Sequence, residues 1–159
     1  MAALLVAGAA CDSPAPVAPS SRPPAVRAVD AGAPCDVLSP AQVEEAVGTP
    51  VEREREADSL DGTRLCSYDT TAPYSSVSVA VEPDMTAREF DKRMERDPAN
   101  TEILDGPADA AFVHACASVE LLEEDVFVSI SVQHLTTCEE TQAVLRALAT
   151  EAVASLTGA

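Results

Sequence analysis

The sequence predicts an α+β fold, an antiparallel sheet of four to six strands with about three helices packed on one face and stapled by disulfides. Three observations predict this class. Helix-start signals occur three times, each a Ser or Thr followed three residues later by Gln or Glu. Runs of alternating valines lie between them, with the period of two that is typical of half-buried strands. The length of 159 residues and the apolar content of 47% suit a single core.

The predicted order is helix, two strands, helix, three or four strands, helix, and the first helix begins after Ser39. Ser39 is a favourable N-cap, and Gln42 completes a capping box with it. Leu38 and Val43 stand at the two positions that form a hydrophobic staple across a helix start. Gly48 can adopt the left-handed conformation that ends a helix.

Two strands are predicted next. The segment 51–62 is predicted to be a charged loop, because Glu and Arg alternate from residue 52 to residue 56. Leu65–Tyr68 has the composition of a short strand. In Ser76–Glu82, every second residue is valine, which predicts a strand with one buried face.

The second and third helices have the same start signal as the first. The second begins after Thr86, with Glu89 completing its capping box. The third begins after Thr137, with Glu140 in that role, and Gly158 ends it. Its apolar stripe consists of Leu145, Leu148, Ala152 and Leu156, and that of the second helix consists of Ala87, Phe90 and Met94.

The remaining strands lie between these two helices. Ile103-Leu104 leads into a turn at 105–107, and Ala111–Val113 is a short predicted strand. Two longer alternating runs, around Val119 and from Val126 to Val132, form a predicted hairpin about an acidic turn at 123–125. The core is predicted to be aliphatic, since the chain has no Trp, two Tyr and three Phe.

The charge of the chain argues against nucleic acid as a partner. The net charge is −17, and residues 35–159 carry 25 of the 27 acidic and 8 of the 10 basic side chains. Such a surface repels phosphates, whose binding requires cations. The acidity indicates either a cationic or metal-bearing partner, or only a soluble exterior.

The N-terminal part of the chain predicts export and lipid attachment. Residues 1–10 are apolar or small, like the core of a signal sequence, and the absence of basic residues there predicts that the natural signal begins upstream. Gly8-Ala9-Ala10-Cys11 resembles a lipobox, although Gly8 stands where Leu is usual. Cys11 is therefore the predicted lipidation (palmitate) site, and residues 11–34, with six prolines, are a predicted disordered tether. Residues 35–159 form the predicted single globular domain, on the outer face of the cell membrane.

The cysteine count fits this location. Assigning Cys11 to lipid leaves four of the five cysteines, which allow three disulfide connectivities in an oxidising compartment. Pairing nearest neighbours predicts bridges between Cys35 and Cys66 and between Cys116 and Cys138.

Three segments resemble a known family. They are Pro34–Ser39, Cys66–Tyr68 and Leu104–Ala111. In this order they are similar to the actinobacterial lipoproteins grouped as domain of unknown function 3558, over roughly residues 33–157. The step Gly106-Pro107 departs from the Gly-Leu-Gly-Asp pattern of that family. The resemblance implies an exported, lipid-anchored domain without an established activity.

Two metal sites are alternatives. A tetrahedral zinc site would have two histidines and two cysteines as ligands. The candidate ligands are His114, Cys116, His134 and Cys138. A disulfide between the same two cysteines is the competing interpretation. The carboxylates of 123–125, Asp105 and Asp109 are candidate calcium ligands, without the spacing of an EF-hand.

No catalytic residue is predicted. The chain has no Gly-x-Ser-x-Gly elbow, and its six glycines are too scattered for a phosphate loop. We therefore expect a non-enzymatic domain without a cofactor, which binds a protein partner or a small apolar ligand between sheet and helices. The alternative is a cell-envelope enzyme or the zinc-binding module.

Overall fold

A computed structural model of the chain describes residues 33–58, 63–106, 108–134 and 137–158. The predicted signal sequence, the predicted lipidation site Cys11 and all but the end of the predicted tether lie outside these residues. Short 3-10 helices cover Pro34–Asp36 and Pro98–Asn100. The main elements are α1 (Pro40–Val47), β1 (Val51–Asp58), β2 (Arg64–Thr70), β3 (Tyr74–Glu82), α2 (Ala87–Met94), β4 (Thr101–Ile103), β5 (Ala110–His114), β6 (Ser118–Glu123), β7 (Val126–His134) and α3 (Cys138–Thr157).

The described strands form one sheet in which every neighbouring pair is antiparallel. Its order is β1-β2-β3-β7-β6-β5-β4, so the last strand in sequence, β7, lies in the middle. The predicted α+β class with an antiparallel sheet is therefore confirmed. The predicted four to six strands and their order are wrong, because seven strands form, three before α2 and four after it.

The two additional strands lie at the two edges of the sheet. Val51–Asp58, predicted as part of a charged loop, is the edge strand β1 and pairs with β2 from Val51 to Asp58. Thr101–Ile103, predicted only to lead into a turn, is the edge strand β4 and pairs with β5. Most side chains of both strands are exposed. Neither strand therefore has the alternation of apolar and polar residues from which a half-buried strand is predicted.

The three predicted helix starts are confirmed. At α1 the Ser39 hydroxyl accepts the N–H of Gln42, and the Gln42 side chain accepts the N–H of Ser39 at 2.9 Å. The same reciprocal pair forms at the starts of α2 and α3. Gly48 ends α1 with a φ of 72°, and Gly158 ends α3 with a φ of 68°. None of the described helices is both long and apolar enough to cross a membrane.

The main core lies between one face of the sheet and the helices α1 and α3. The predicted stripe of α3 is fully buried at Leu145, Leu148 and Ala152. It packs in one cluster with sheet residues that include Val79 and Ile130. Burying a leucine, isoleucine or valine side chain in this core stabilises the fold by about 1.5–3 kcal/mol.

Helix α2 lies on the opposite face, which corrects the prediction that all helices share one face. Phe127 and Val128 are successive residues of β7, so their side chains point to opposite faces. Val128 belongs to the main core. Phe127 instead packs with Phe90 of α2 and with Phe112 of β5, in a second, smaller cluster. The physical reason is that Phe90 is the large apolar side chain of α2, and the two phenylalanines that it packs against, Phe112 and Phe127, lie on this face.

The prediction of an aliphatic core without aromatic anchors is also wrong. All five aromatic side chains of the chain are buried, at 5% exposure or less. Tyr68 belongs to the main core, where its hydroxyl donates a hydrogen bond to the carbonyl of Leu38. Burial raises the pKa of Tyr68 well above its ordinary value, with a smaller contribution from Glu54. Tyr68 therefore links the segment before α1 to the centre of β2 as a neutral donor.

Both predicted disulfides form. Cys35 and Cys66 join the 3-10 turn before α1 to β2, with Cα atoms 4.9 Å apart. Cys116 and Cys138 join the β5–β6 turn to the first residue of α3, with Cα atoms 5.3 Å apart. In the first bridge Cys66 is fully buried and Cys35 is partly exposed, whereas in the second Cys116 is partly exposed and Cys138 is exposed, so the second bridge is the more accessible to solvent.

Candidate functional site

The best candidate site is a groove of about 370 Å³ between α2 and the segment 103–111. Apolar side chains supply part of its lining. Phe90 and Met94 contribute from α2 and Ile103 from β4, while Leu104, which also lines the groove, packs against the main core. We call it the α2–β4 groove.

The pairing of β4 with β5 positions the 103–111 side of the groove. β4 has three residues, and Ile103 pairs with Phe112 at its end. The N–H of Leu104 still donates to the carbonyl of Ala111 at 3.0 Å, so the backbone contact between the two segments extends one residue beyond β4. Ile103 is 66% exposed and is the only large apolar side chain of the described residues that is exposed. A single exposed isoleucine is common on protein surfaces, so Ile103 is of interest here because it lines the groove.

The rim of the groove is acidic. Asp91, Asp105 and Asp109 line it, and none of its described lining residues is Lys or Arg. Asp109 is held in place because its carboxylate accepts the N–H of Glu124 at 3.1 Å, while its own N–H donates to Glu123 at 3.0 Å. The groove therefore combines an apolar interior with carboxylates at its mouth, an arrangement that favours an apolar group bearing a positive charge.

The groove lies beside α2 at the β4 end of the sheet, and its lining includes residues of both core clusters. On the face opposite α2 the side chains of the sheet and of α1 and α3 fill the interior, with Leu121, Ile130 and Leu148 all at 0% exposure. A ligand held between sheet and helices would therefore have to lie at α2.

One carboxylate oxygen of Glu120 is buried on the same face as α2. Glu120 of β6 stands opposite Phe112 of β5 and Ser129 of β7, and its Oε2 is buried without a hydrogen-bond partner among the described residues. Burial raises the pKa of Glu120, and the positive charges of Arg93 and His114 oppose that rise. No described residue balances this carboxylate with a hydrogen bond at Oε2.

The two cysteines among the candidate zinc ligands are not free thiols. Cys116 and Cys138 are bonded to each other, so neither sulfur is available as a thiolate ligand. His114 of β5 has its Nε2 3.4 Å from the Asp97 carboxylate. His134 ends β7, which is separated from β5 by β6.

The candidate calcium carboxylates are not brought into one ligand cluster within the described ranges. The one group of three described residues whose ligand atoms lie within 4.8 Å of one another is Cys35, Glu54 and Cys66. Its two sulfurs form the first disulfide. Asp105 and Asp109 lie at the rim of the α2–β4 groove instead.

The groove itself is not apparent from the sequence. Phe90 and Met94 were predicted to be buried against the sheet, and Phe90 is, but both also line the groove. The described residues of 104–111 line one side of it together with Ile103, and no sequence pattern in this segment indicates a groove.

Comparison with known proteins adds a distant structural likeness. No protein-family model matches the chain, and no curated protein matches it. The fold is similar to the crystal structure of a GTP binding regulator from Thermotoga maritima, with a TM-score of 0.38 and 16% identity. The match covers 72% of this chain and 90% of that chain. A likeness at this level carries no inference about function.

Proposed function

We propose that the protein is an exported, lipid-anchored, non-enzymatic domain that binds a partner protein through the α2–β4 groove. The partner would insert an apolar side chain flanked by basic residues. The observation that carries this proposal is Ile103, which is 66% exposed at the mouth of an apolar groove with an acidic rim.

The size of the groove favours a segment of protein over a larger ligand. Small-molecule sites are typically about 300–1,000 Å³, and the groove of about 370 Å³ lies near the lower limit. One or two side chains of a partner would fill it. The excess of 25 acidic over 8 basic side chains in residues 35–159 would also attract a basic partner and increase its rate of association.

The location at the membrane rests on the N-terminal part of the chain. A lipid on Cys11 followed by 23 residues of tether would allow the domain to reach up to roughly 70 Å from the membrane, at about 3.1 Å per residue. Two disulfides support an oxidising compartment, because bridges of this kind persist there.

We expect a short peptide with Ile-Leu flanked by lysines to bind the groove, and the variant Ile103→Ser to bind it at least about five-fold more weakly. Replacing a mostly exposed side chain leaves the core intact, so the loss would come from the contact itself. NMR titration of the folded protein measures both the affinity and the residues whose signals shift, with Phe90 and Leu104 expected among them.

Two controls make this experiment specific. Ala147→Ser, at an exposed position in the separate cleft between α1 and α3, should leave the affinity unchanged. A peptide in which glutamates replace the lysines should not bind, because the rim carries Asp91, Asp105 and Asp109. Equal binding of both peptides, or shifts confined to residues outside the groove, would contradict the proposal.

The location has its own test. The variant Cys11→Ala should move the protein from the membrane fraction to the soluble fraction, because no lipid can then be attached. The domain should keep its fold, since Cys11 takes part in neither bridge. Retention of the variant in the membrane fraction would show that lipid on Cys11 is not the anchor.

A further inference from the structure

The edge strand β1 carries a charge pattern that the groove does not use. Five consecutive residues, 52–56, are exposed and alternate between Glu and Arg. β1 ends the strand order, so its outer edge has no described strand beside it. At the beginning of β1, the N–H of Val51 donates to the Glu44 carboxylate at 2.9 Å.

The register with β2 sorts these charges onto the two faces of the sheet. Directly opposite residues in an antiparallel pair point to the same face. Glu54 stands opposite Tyr68 of the main core, so Glu54 and Glu56 project on the side of α1 and α3. Arg53 and Arg55 project on the other side. Each face of the edge therefore presents one sign of charge.

This sorting disfavours pairing between two copies of the protein. A twofold axis perpendicular to a continuous sheet keeps each face on its own side, so residues opposite each other must belong to the same face. Glu54 would then stand opposite Glu54 of the second copy, and Arg53 opposite its Arg55. Like charges directly opposite each other destabilise a strand pair. The charge pattern therefore disfavours a second copy at this edge, while the backbone groups of the outer edge remain without a described strand partner.

Of the four charged residues 53–56, two have ion pairs within the sheet and two have none among the described residues. Arg55 pairs with Asp69 and Glu56 pairs with Arg64, both at 3.1 Å. Arg53 and Glu54 have no ion pair among the described residues. Arg53 and Glu54 are adjacent, of opposite charge and on opposite faces of the sheet. A strand that pairs with this edge would therefore be complementary if it carried an acidic residue opposite Arg53 and a basic residue opposite Glu54.

We propose that β1 accepts an extended segment of a partner protein in which basic and acidic residues alternate. The segment adds a further strand to the sheet, with backbone hydrogen bonds to the outer edge of β1. Its basic residues stand opposite Glu54 and Glu56, and its acidic residues stand opposite Arg53 and Arg55. This surface is separate from the α2–β4 groove, because β1 and β4 are opposite edges of the sheet.

The test uses the purified full-length protein and a peptide of alternating lysine and glutamate. Binding should be saturable and weaken with salt, as expected for exposed charge pairs. Amide hydrogen exchange of β1 should slow when the peptide binds, because the outer N–H groups become hydrogen-bonded. A peptide of the same composition with its lysines and glutamates in separate blocks is the matched control, and it should neither bind nor protect β1.

A charge exchange within β1 tests the pattern without changing the net charge. The double variant Arg53→Glu with Glu54→Arg keeps the composition but ends the alternation. Each cross-strand pair contributes about 0.2–1 kcal/mol, so converting two attractive pairs to repulsive ones should weaken binding at least about five-fold. Both positions are exposed, so the fold should be retained.

Several outcomes would overturn the proposal. They are an absence of binding at about 1 mM peptide, equal binding of the block peptide, and binding that leaves β1 exchange unchanged. Slow exchange of the outer β1 amides in the free protein would also overturn it, because that edge would then already be covered. Groove variants such as Ile103→Ser should have no effect, which separates this proposal from the proposed function.

Discussion

Removing the bridge between Cys35 and Cys66 should lower the free energy of unfolding by about 3–4 kcal/mol. The two cysteines are 31 residues apart, and the chain-entropy model assigns a loop of that length a stabilisation of this size. The bridge also holds Val37 and Leu38, both fully buried, next to β2. Since single domains are stable by only about 5–15 kcal/mol, the loss would be a large fraction of the total.

The measurement is denaturant unfolding of the double variant Cys35→Ala with Cys66→Ala. The matched variant is Cys116→Ala with Cys138→Ala, which removes a 22-residue loop closure at the surface. Its expected loss is about 3 kcal/mol, and it should be the smaller of the two because Cys138 is exposed and supports no comparable core segment. A loss below about 1 kcal/mol for the Cys35–Cys66 variant would mean that the turn before α1 is held by packing alone.

Replacing Phe90 by alanine should cost about 3–5 kcal/mol, the usual range for a buried phenylalanine. Phe90 is 2% exposed and is the one buried residue of α2. Its ring centroid lies 5.1 Å from that of Phe112 and 6.2 Å from that of Phe127. A helix of eight residues is too short to be stable alone, so losing this anchor should release α2 from the sheet.

Hydrogen exchange distinguishes local release from global destabilisation. In Phe90→Ala, the amides of α2 should exchange much faster than those of α3. The control is Arg88→Ala, at an exposed position of the same helix, which should change stability by less than about 0.5 kcal/mol. Equal losses for the two variants would show that α2 is held by its capping box and its Arg93–Glu82 ion pair instead.

The elements that the sequence predicted are those governed by local chemistry. The capping boxes at Ser39, Thr86 and Thr137 depend on residues three positions apart, so each was visible in the sequence alone. The disulfides followed from proximity in sequence. In each case the partners lie within a few tens of residues of each other.

The features that were missed depend on residues distant in sequence. β1 is a strand because β2 pairs with it, whereas its own residues have no buried face. The side of the sheet on which α2 lies depends on Phe112 and Phe127, which come after the helix in the chain. The groove exists because α2 and the 103–111 segment meet there. The periodicity of apolar residues within one segment does not show which distant segments it will contact.

The buried carboxyl group of Glu120 has a consequence for proton linkage. Its pKa is raised in the folded state, so the native protein holds this proton more tightly than the unfolded chain does. The associated stability is fully present below the unfolded pKa of about 4.3 and is lost as pH rises through the folded value. Glu89 acts in the opposite sense, since hydrogen bonds from Thr86 lower its pKa. At Glu120, folding therefore takes up a proton at mildly acidic pH, and lowering the pH favours the folded state at this side chain.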